Sequence, residues 1–315
     1  MLSNFEICKL LNIEYPIFQG GMARLGTTEL VSAVSIAGGL GIIGSSDAPP
    51  DWLTDQIRQT KAKTDKPFGV NILLLTPYLE ENLKVLVDED VKIVTFGAGN
   101  PGKYIPALKE AGIKIMPVVS SVALARRLER LDIDAIIVEG MESGGHVGDT
   151  TTMALLPQIV SSVSVPVIAA GGIADGRGLV AALALGAKGI QMGTRFICSD
   201  ECIAHPKFKE SIIKAHDRAT VVTGETTGHP VRCLENKLTR QFMTLEKEGV
   251  PISVLEELGR GKLFSGVIQG NIEEGSLMAG QIAGLIKDIK PVKSIINDIM
   301  LEAEQIIRTL NKYKI

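Results

Sequence analysis

Short apolar runs that stop at glycine recur along most of this chain, and that recurrence limits the folds open to it. Pro166-Val167-Ile168-Ala169-Ala170 runs into Gly171-Gly172, and Gly189-Ile190-Gln191-Met192 runs into Gly193. Apolar runs without polar alternation fit parallel strands covered on both faces. Strands are predicted over 15–21, 40–44, 68–75, 93–99, 114–120, 135–141, 165–173 and 189–194. Helical stretches separate them, over 28–37, 50–63, 78–88, 103–111, 121–131, 153–162 and 175–185. From the cap Ser121, for example, Val122, Ala125, Leu128 and Leu131 recur at helical spacing while Arg126, Arg127, Glu129 and Arg130 face out.

Strand and helix units of roughly 25 residues, repeated in this way, match an α/β fold of the (β/α)8 TIM-barrel type. An open doubly wound sheet is the alternative. It calls for one glycine-rich turn near the start, whereas here glycine closes almost every run, as expected where all the strand tips surround one site. Beyond Arg218 the alternation fails. The chain therefore divides into a barrel over 1–217, an inserted helical lid over 218–274, and C-terminal helices over 275–315 that pack on the barrel. Within the last part, amphipathic helices are predicted over 275–286 and 292–312.

Composition excludes several classes of function. Aromatic residues make up 4% of the chain and the formal net charge is -3, which disfavours nucleic-acid binding. The uncharged stretch from Thr150 to Ala174 is interrupted by Pro157, Pro166 and the Gly171-Gly172 pair, so it reads as a helix and a strand, with no membrane span. Met1 to Glu6 shows no basic region followed by an apolar core, and the expectation is a cytoplasmic protein. The four cysteines, Cys8, Cys198, Cys202 and Cys233, are too scattered for a disulfide framework. Cys198, Cys202 and His205 lack a suitably spaced fourth ligand, so no metal is assigned to them. Seven basic against four acidic residues between His205 and Arg240 form a local excess, either a surface for an anionic partner or ordinary solvated helix faces.

Two segments carry the chemistry. Ala135 to Gly148 (AIIVEGMESGGHVG) changes from a strand into a glycine-flanked histidine, and Gly144-Gly145 lets a ligand approach the backbone beside His146. An imidazole there can give or take a proton near neutral pH, although a packed loop histidine is the plainer reading. Ala169 to Gly178 (AAGGIADGRG) ends a strand in Gly171-Gly172 and opens a helix, so backbone N–H groups can face an anion. Gln191 to Arg195 (QMGTR) adds Gly193 and Thr194 at the next strand tip. In a β/α barrel these are the phosphate-binding loops. The first strand–helix turn lacks the dinucleotide fingerprint, which favours a mononucleotide-like group.

With YPIFQGGMA at 15–23, AGGLGIIG at 37–44, KPFGVNI at 66–72, GAGNP at 97–101, EGMESGGHVG at 139–148, PVIAAGGIADG at 166–176, QMGTRF at 191–196 and GSLMAGQIAGL at 275–285, the chain resembles the flavin-dependent enoyl-[acyl-carrier-protein] reductases of the FabK type. These sit in one superfamily with nitronate monooxygenases. The resemblance implies FMN, its phosphate near Gly171, Gly172, Gly193 and Thr194, and the rest of it against Gly21, Met22, Ala23, Asn71, Glu139 and Gly145. It makes His146 the catalytic residue and places Met278 at the substrate pocket. It further implies NADH or NADPH as cosubstrate, hydride delivery to the beta carbon of a trans-2-enoyl thioester, an acyl carrier protein as partner and a homodimer. A monovalent cation, K+ or NH4+, is also implied, with no residues assigned to it. Relatives often carry Trp two positions after the methionine, where this chain has Arg24, so the outer pocket is expected to differ. Two other readings use the same residues: a nitronate monooxygenase with His146 as base, and a non-catalytic FMN-binding barrel.

Overall fold

The computed structural model describes residues 5–313. Among the described residues eleven strands follow one another: β1 (Ile17–Gln19), β2 (Gly41–Gly44), β3 (Phe68–Leu73), β4 (Ile93–Gly97), β5 (Lys114–Val119), β6 (Ile136–Glu139), β7 (Gly145–His146), β8 (Val167–Ala170), β9 (Gly189–Met192), β10 (Thr220–Thr223) and β11 (Val231–Leu234). Eight of them form one parallel sheet in the order β1-β9-β8-β6-β5-β4-β3-β2. A parallel bridge between Phe18 and Leu40 joins its two edges, so the sheet is a (β/α)8 barrel.

The continuous apolar runs are explained by burial on both faces. Toward the barrel axis, Phe18, Ile42, Ile93, Met116, Ile137 and Ile168 pack together with Ile7, Cys8 and Leu11 of the helix Glu6–Leu11. That helix meets residues at the strand starts, such as Ile93 and Leu40, and so plugs one end of the barrel. Toward the outside, Ile43, Val70, Val94, Val138, Ala169 and Ile190 meet the surrounding helices. Helix ends follow the expected local chemistry. Ser121 caps Val122–Glu129 by accepting from Leu124 N at 3.3 Å. Gly186, at a φ of +97°, follows Gly176–Ala184 in the left-handed conformation that ends helices.

The inserted segment is helical over Lys237–Glu248, Ile252–Gly259 and Lys262–Val267, but it opens with a hairpin that the absence of a clear period in the sequence does not announce. β10 and β11 pair antiparallel, and β11 pairs in turn with β7, Val231 opposite His146 and Arg232 opposite Gly145. The predicted helix over 275–286 is also replaced. Residues there run extended, with Met278 bridged to Cys233, and only Gln281–Leu285 turns as a 3-10 helix. The physical reason is close backbone approach: a Cβ on Gly275 would lie 2.3 Å from Gly266 Cα, and one on Gly280 2.6 Å from Glu142 O. The helix Val292–Leu310 forms as expected and packs on Gly176–Ala184. No helix of the described residues is long and apolar enough to cross a membrane.

Candidate active site

The end of the barrel opposite the helix plug holds a cavity of about 450 Å³. Loops after the barrel strands converge on it, so the residues singled out from sequence, although far apart in the chain, all line one space: Gly21, Met22, Ala23, Asn71, Glu139, Gly145, His146, Gly171, Gly172, Gly193, Thr194 and Met278. Gly20 N donates to Met192 O at 3.0 Å and ties the tip of β1 to that of β9. Gly21 lies so close to Asn71 that an added Cβ would stand 2.3 Å from the Asn71 Cβ. The Asn71 Oδ1 accepts from Thr95 Oγ1 at 2.9 Å, which turns the other side of the amide toward the cavity.

Arg24 stands apart from this wall. Its backbone is left-handed at a φ of +66°, and its guanidinium reaches both oxygens of Asp47 at 2.8 Å. Paired in this way and outside the lining, Arg24 brings no charge into the cavity.

At the tip of β6, burial pushes the Glu139 carboxyl up to about 7, against a smaller pull from the neighbouring Ser143 hydroxyl. Glu139 lines the cavity and is only partly exposed. Ser143 Oγ approaches Glu139 outside hydrogen-bond geometry, and this buried hydroxyl has no partner among the described residues. Glu142 accepts from Thr152 N at 2.8 Å and Thr152 Oγ1 at 2.9 Å, which fixes the loop between β6 and β7.

His146 follows on β7 and is exposed at the cavity mouth. Partial burial, and secondarily the His229 ring, hold its pKa below the ordinary imidazole value. A Cβ on Gly145 would meet Met278 Sδ at 3.6 Å, so the extended segment carrying Met278 forms the wall next to the histidine. Thr194 Oγ1 accepts from Gly280 N at 2.9 Å and anchors that segment across the tip of β9.

The expected anion cradle is present in part. Gly172, Gly193 and Thr194 line the cavity, and their N–H groups have no protein acceptor among the described residues. The helix that opens after Gly171-Gly172 does not contribute, contrary to expectation. Gly178 N donates to Asp175 Oδ1 at 3.1 Å and Gly176 N to Glu302 Oε2 at 2.7 Å, so these two N–H groups are already taken, and neither residue lines the cavity. Arg195 is held back by Asp288, with NH1 to Oδ1 at 2.9 Å. A cavity of this volume, lined by residues with unpaired N–H groups and by a buried hydroxyl without a partner, fits a mononucleotide-sized group.

The basic surface does not survive as a patch. Lys209 is 8% exposed and donates to Ser199 O at 2.6 Å, and Arg232 is 4% exposed within the hairpin. Lys214, Lys237 and Arg240 pair with Glu210, Glu274 and Glu235, which leaves Lys207 and Arg218 outside ion pairs among the described residues. His205 Nδ1 accepts from Lys207 N at 3.1 Å and caps its own helix. Burial pushes the Cys198 and Cys202 thiols up, to about 12 and about 11, so neither offers a thiolate near neutral pH.

Sequence reasoning missed His229, which lines the same mouth with its ring centroid 6.5 Å from that of His146. It also missed Leu263 and Val267, by which the inserted helices reach the cavity. Glu142 and Ser143 lie inside the motif at 139–148, in which Gly144, Gly145 and His146 stand out by residue type and Glu139 only through the resemblance. His229 had no signal, since its segment shows no periodicity.

A family model described as nitronate monooxygenase matches residues 5–83 and 78–302. The structure of FabK from Thermotoga maritima is similar at 52% identity, with a TM-score of 0.97 and 99% of each chain covered. A (3aS,4S,5R,7aS)-5-hydroxy-7a-methyl-1-oxo-octahydro-1H-indene-4-carboxyl-CoA dehydrogenase of Mycobacterium tuberculosis is 33% identical over 94% of this chain and 95% of the relative. A probable nitronate monooxygenase of Staphylococcus saprophyticus is 33% identical over 96% of this chain and 98% of the relative.

Proposed function

The chain belongs to the nitronate monooxygenase family of oxidoreductases, and from that membership we propose that it is an FMN-dependent enoyl-[acyl-carrier-protein] reductase of the fatty-acid elongation cycle. The observation that carries the choice is the 52% identity to the Thermotoga maritima FabK, against 33% to the staphylococcal relative. The mycobacterial relative, named for a carboxyl-CoA compound, supports a cavity of this build taking thioesters.

FMN, when bound, supplies the hydride chemistry, with NADH or NADPH as source and a monovalent cation as accessory. Gly172, Gly193 and Thr194 would hold its phosphate through backbone N–H groups, and Gly171 would shape the turn beneath it. Gly21, Met22, Ala23, Asn71, Glu139 and Gly145 would line the rest. His146 would donate a hydrogen bond to the thioester oxygen and a proton to the alpha carbon. A pKa held below the ordinary imidazole value makes its imidazolium a readier donor. Met278 would wall the acyl chain, residues 218–274 would act as the lid, and a homodimer is the assembly in this reading.

A nitronate monooxygenase is the second reading, and the same lowered pKa favours it, because it keeps His146 unprotonated and able to take the acidic proton of a nitroalkane. Anaerobic stopped-flow mixing separates the two. A reductase loses its flavin absorbance on mixing with NAD(P)H and recovers it on addition of crotonyl thioester. Absorbance that NAD(P)H leaves untouched, together with nitroethane-dependent oxygen uptake, would sink the reductase in favour of the monooxygenase.

A further inference from the structure

We propose that His229 is a proton-relay residue, forming with His146 an imidazole pair that carries one proton between bulk solvent and the cavity in each turnover. The idea rests on the oxidoreductase reading only in requiring that a proton cross at His146, which both readings demand.

The geometry is specific. The two rings stand edge to face at 87°, with centroids 6.5 Å apart, and both line the cavity mouth. That separation is too wide for a direct N–H to N hydrogen bond and is a span that one water bridges. Their neighbourhood is set by the sheet: His146 lies opposite Val231, and Val147 N donates to Pro230 O at 3.1 Å, which brings the residue before Pro230 beside the histidine strand. The tip that carries His229 is anchored. His229 N donates to Thr227 Oγ1 at 3.2 Å, while Gly224 N and Thr226 N each donate to the Glu246 carboxylate at 3.1 Å. His229 and Gly228 before it are exposed, so the outer ring meets bulk water.

In the reducing direction His146 gives a proton to the substrate carbon and is left neutral. The His229 imidazolium then passes a proton through the bridging water to His146 and takes its replacement from solvent. The net change is one proton drawn from solvent, and no electron moves within the pair. In the opposite direction, a proton taken from a carbon acid leaves by the same two rings.

The test compares the FMN-loaded parent with His229→Gln. Histidine proton NMR should show the His146 titration midpoint rising once the neighbouring His229 ring is gone. The other titratable groups around the pair, Glu139 and Glu142 in the cavity and Glu246 behind the hairpin tip, are retained in both proteins. In turnover, kcat should fall about 10-fold with KM unchanged, the solvent deuterium isotope effect should rise, and added imidazole should restore the rate. The assay substrate is whichever of crotonyl thioester and nitroethane the parent turns over, so failure of the reductase reading changes the substrate and leaves the test of His229 intact. An unmoved His146 midpoint overturns the pairing. A rise in KM alone, or a loss that imidazole does not rescue, overturns the relay.

Discussion

Arg232 Nε donates to Met141 O at 3.0 Å and pins the inserted hairpin to the loop that carries Gly144, Gly145 and His146. Its NH1 donates to Thr220 Oγ1 at 3.2 Å, and the Glu142 carboxylate offsets part of the cost of burying the charge. Arg232→Met would leave both oxygens without a donor, a cost of about 1–3 kcal/mol. A melting temperature lower by several degrees is expected, with a fall in kcat as the histidine strand loosens. Arg232→Lys should recover part of the stability. Thermal unfolding and turnover measured on the same preparations check this, and an unchanged kcat in Arg232→Met would detach the hairpin from the chemistry.

His146→Ala removes the proposed proton donor at a position exposed on the cavity mouth and outside the buried core. Flavin content, read from absorbance, should stay at the parent level while turnover falls by about 100-fold or more. Loss of flavin together with activity would assign the imidazole to cofactor retention.

The barrel was legible because each strand is a local signal: Ile136-Ile137-Val138 or Val167-Ile168-Ala169 is buried on both faces and reads as such from its own residues. The glycines of the cavity wall were legible for the same reason, since glycines at strand tips mark close approach, whereas Met22, Ala23, Asn71, Glu139 and Met278 came only with the family resemblance. What stayed hidden depends on partners distant in sequence. β7 is two residues long and exists only because β11 pairs with it. The capped helix start at Gly176 needs Glu302, 126 residues away, and with it went the expectation of free N–H groups there. Ala279, Ala283 and Ile286 are buried and spaced like a helix face, yet Gly144 and Gly280 let two backbones touch and hold that segment extended. Periodicity reports which residues are buried. It does not report which backbone they are buried against.

Gly171 combines a φ of +92° with a Cβ direction that points at Gly140 O, 2.8 Å away, and Ser143 N, 3.2 Å away. Gly171→Ala therefore strains the backbone and pushes on the loop that fixes Glu139 and His146. Gly112 has a φ of +73° but open space around it, so Gly112→Ala costs only the backbone strain, about 1 kcal/mol. Gly171→Ala should cost more than that control and weaken FMN binding, measured by flavin fluorescence, whereas Gly112→Ala should leave FMN affinity as it is. Equal affinities would remove Gly171 from the phosphate cradle.

Glu139 links pH to stability in a direction opposite to most carboxylates. Its pKa in the folded protein is about 7, above the unfolded value of 4.5, so the folded state holds the extra proton between these two limits. Stability is therefore lost as pH rises through that window, by up to about 3 kcal/mol, and by less to the extent that cavity water reaches the carboxyl. Glu139→Gln removes the titration. In protein stripped of flavin, the variant should melt above the parent at pH 8, and the gap should close on moving toward pH 4.5. A gap that does not vary with pH would show that the carboxyl is solvated and ordinary.

Lys207 and Lys209 are neighbours on one helix and should behave as opposites. Lys209 is turned inward onto Ser199 O, so Lys209→Glu buries a carboxylate facing a carbonyl oxygen, at a cost of about 3 kcal/mol or more. It should destabilise the fold whatever the partner is. Lys207 and Arg218 are exposed and outside ion pairs among the described residues, so their reversal touches only the surface. If an acidic carrier protein docks there, Lys207→Glu with Arg218→Glu should raise KM for a carrier-bound thioester about 3- to 10-fold, with kcat and melting temperature unchanged. KM for a coenzyme A thioester should not move, because that substrate brings no acidic protein surface. Equal shifts for the two substrates would mean that the charges act on the cavity field and that the carrier docks elsewhere.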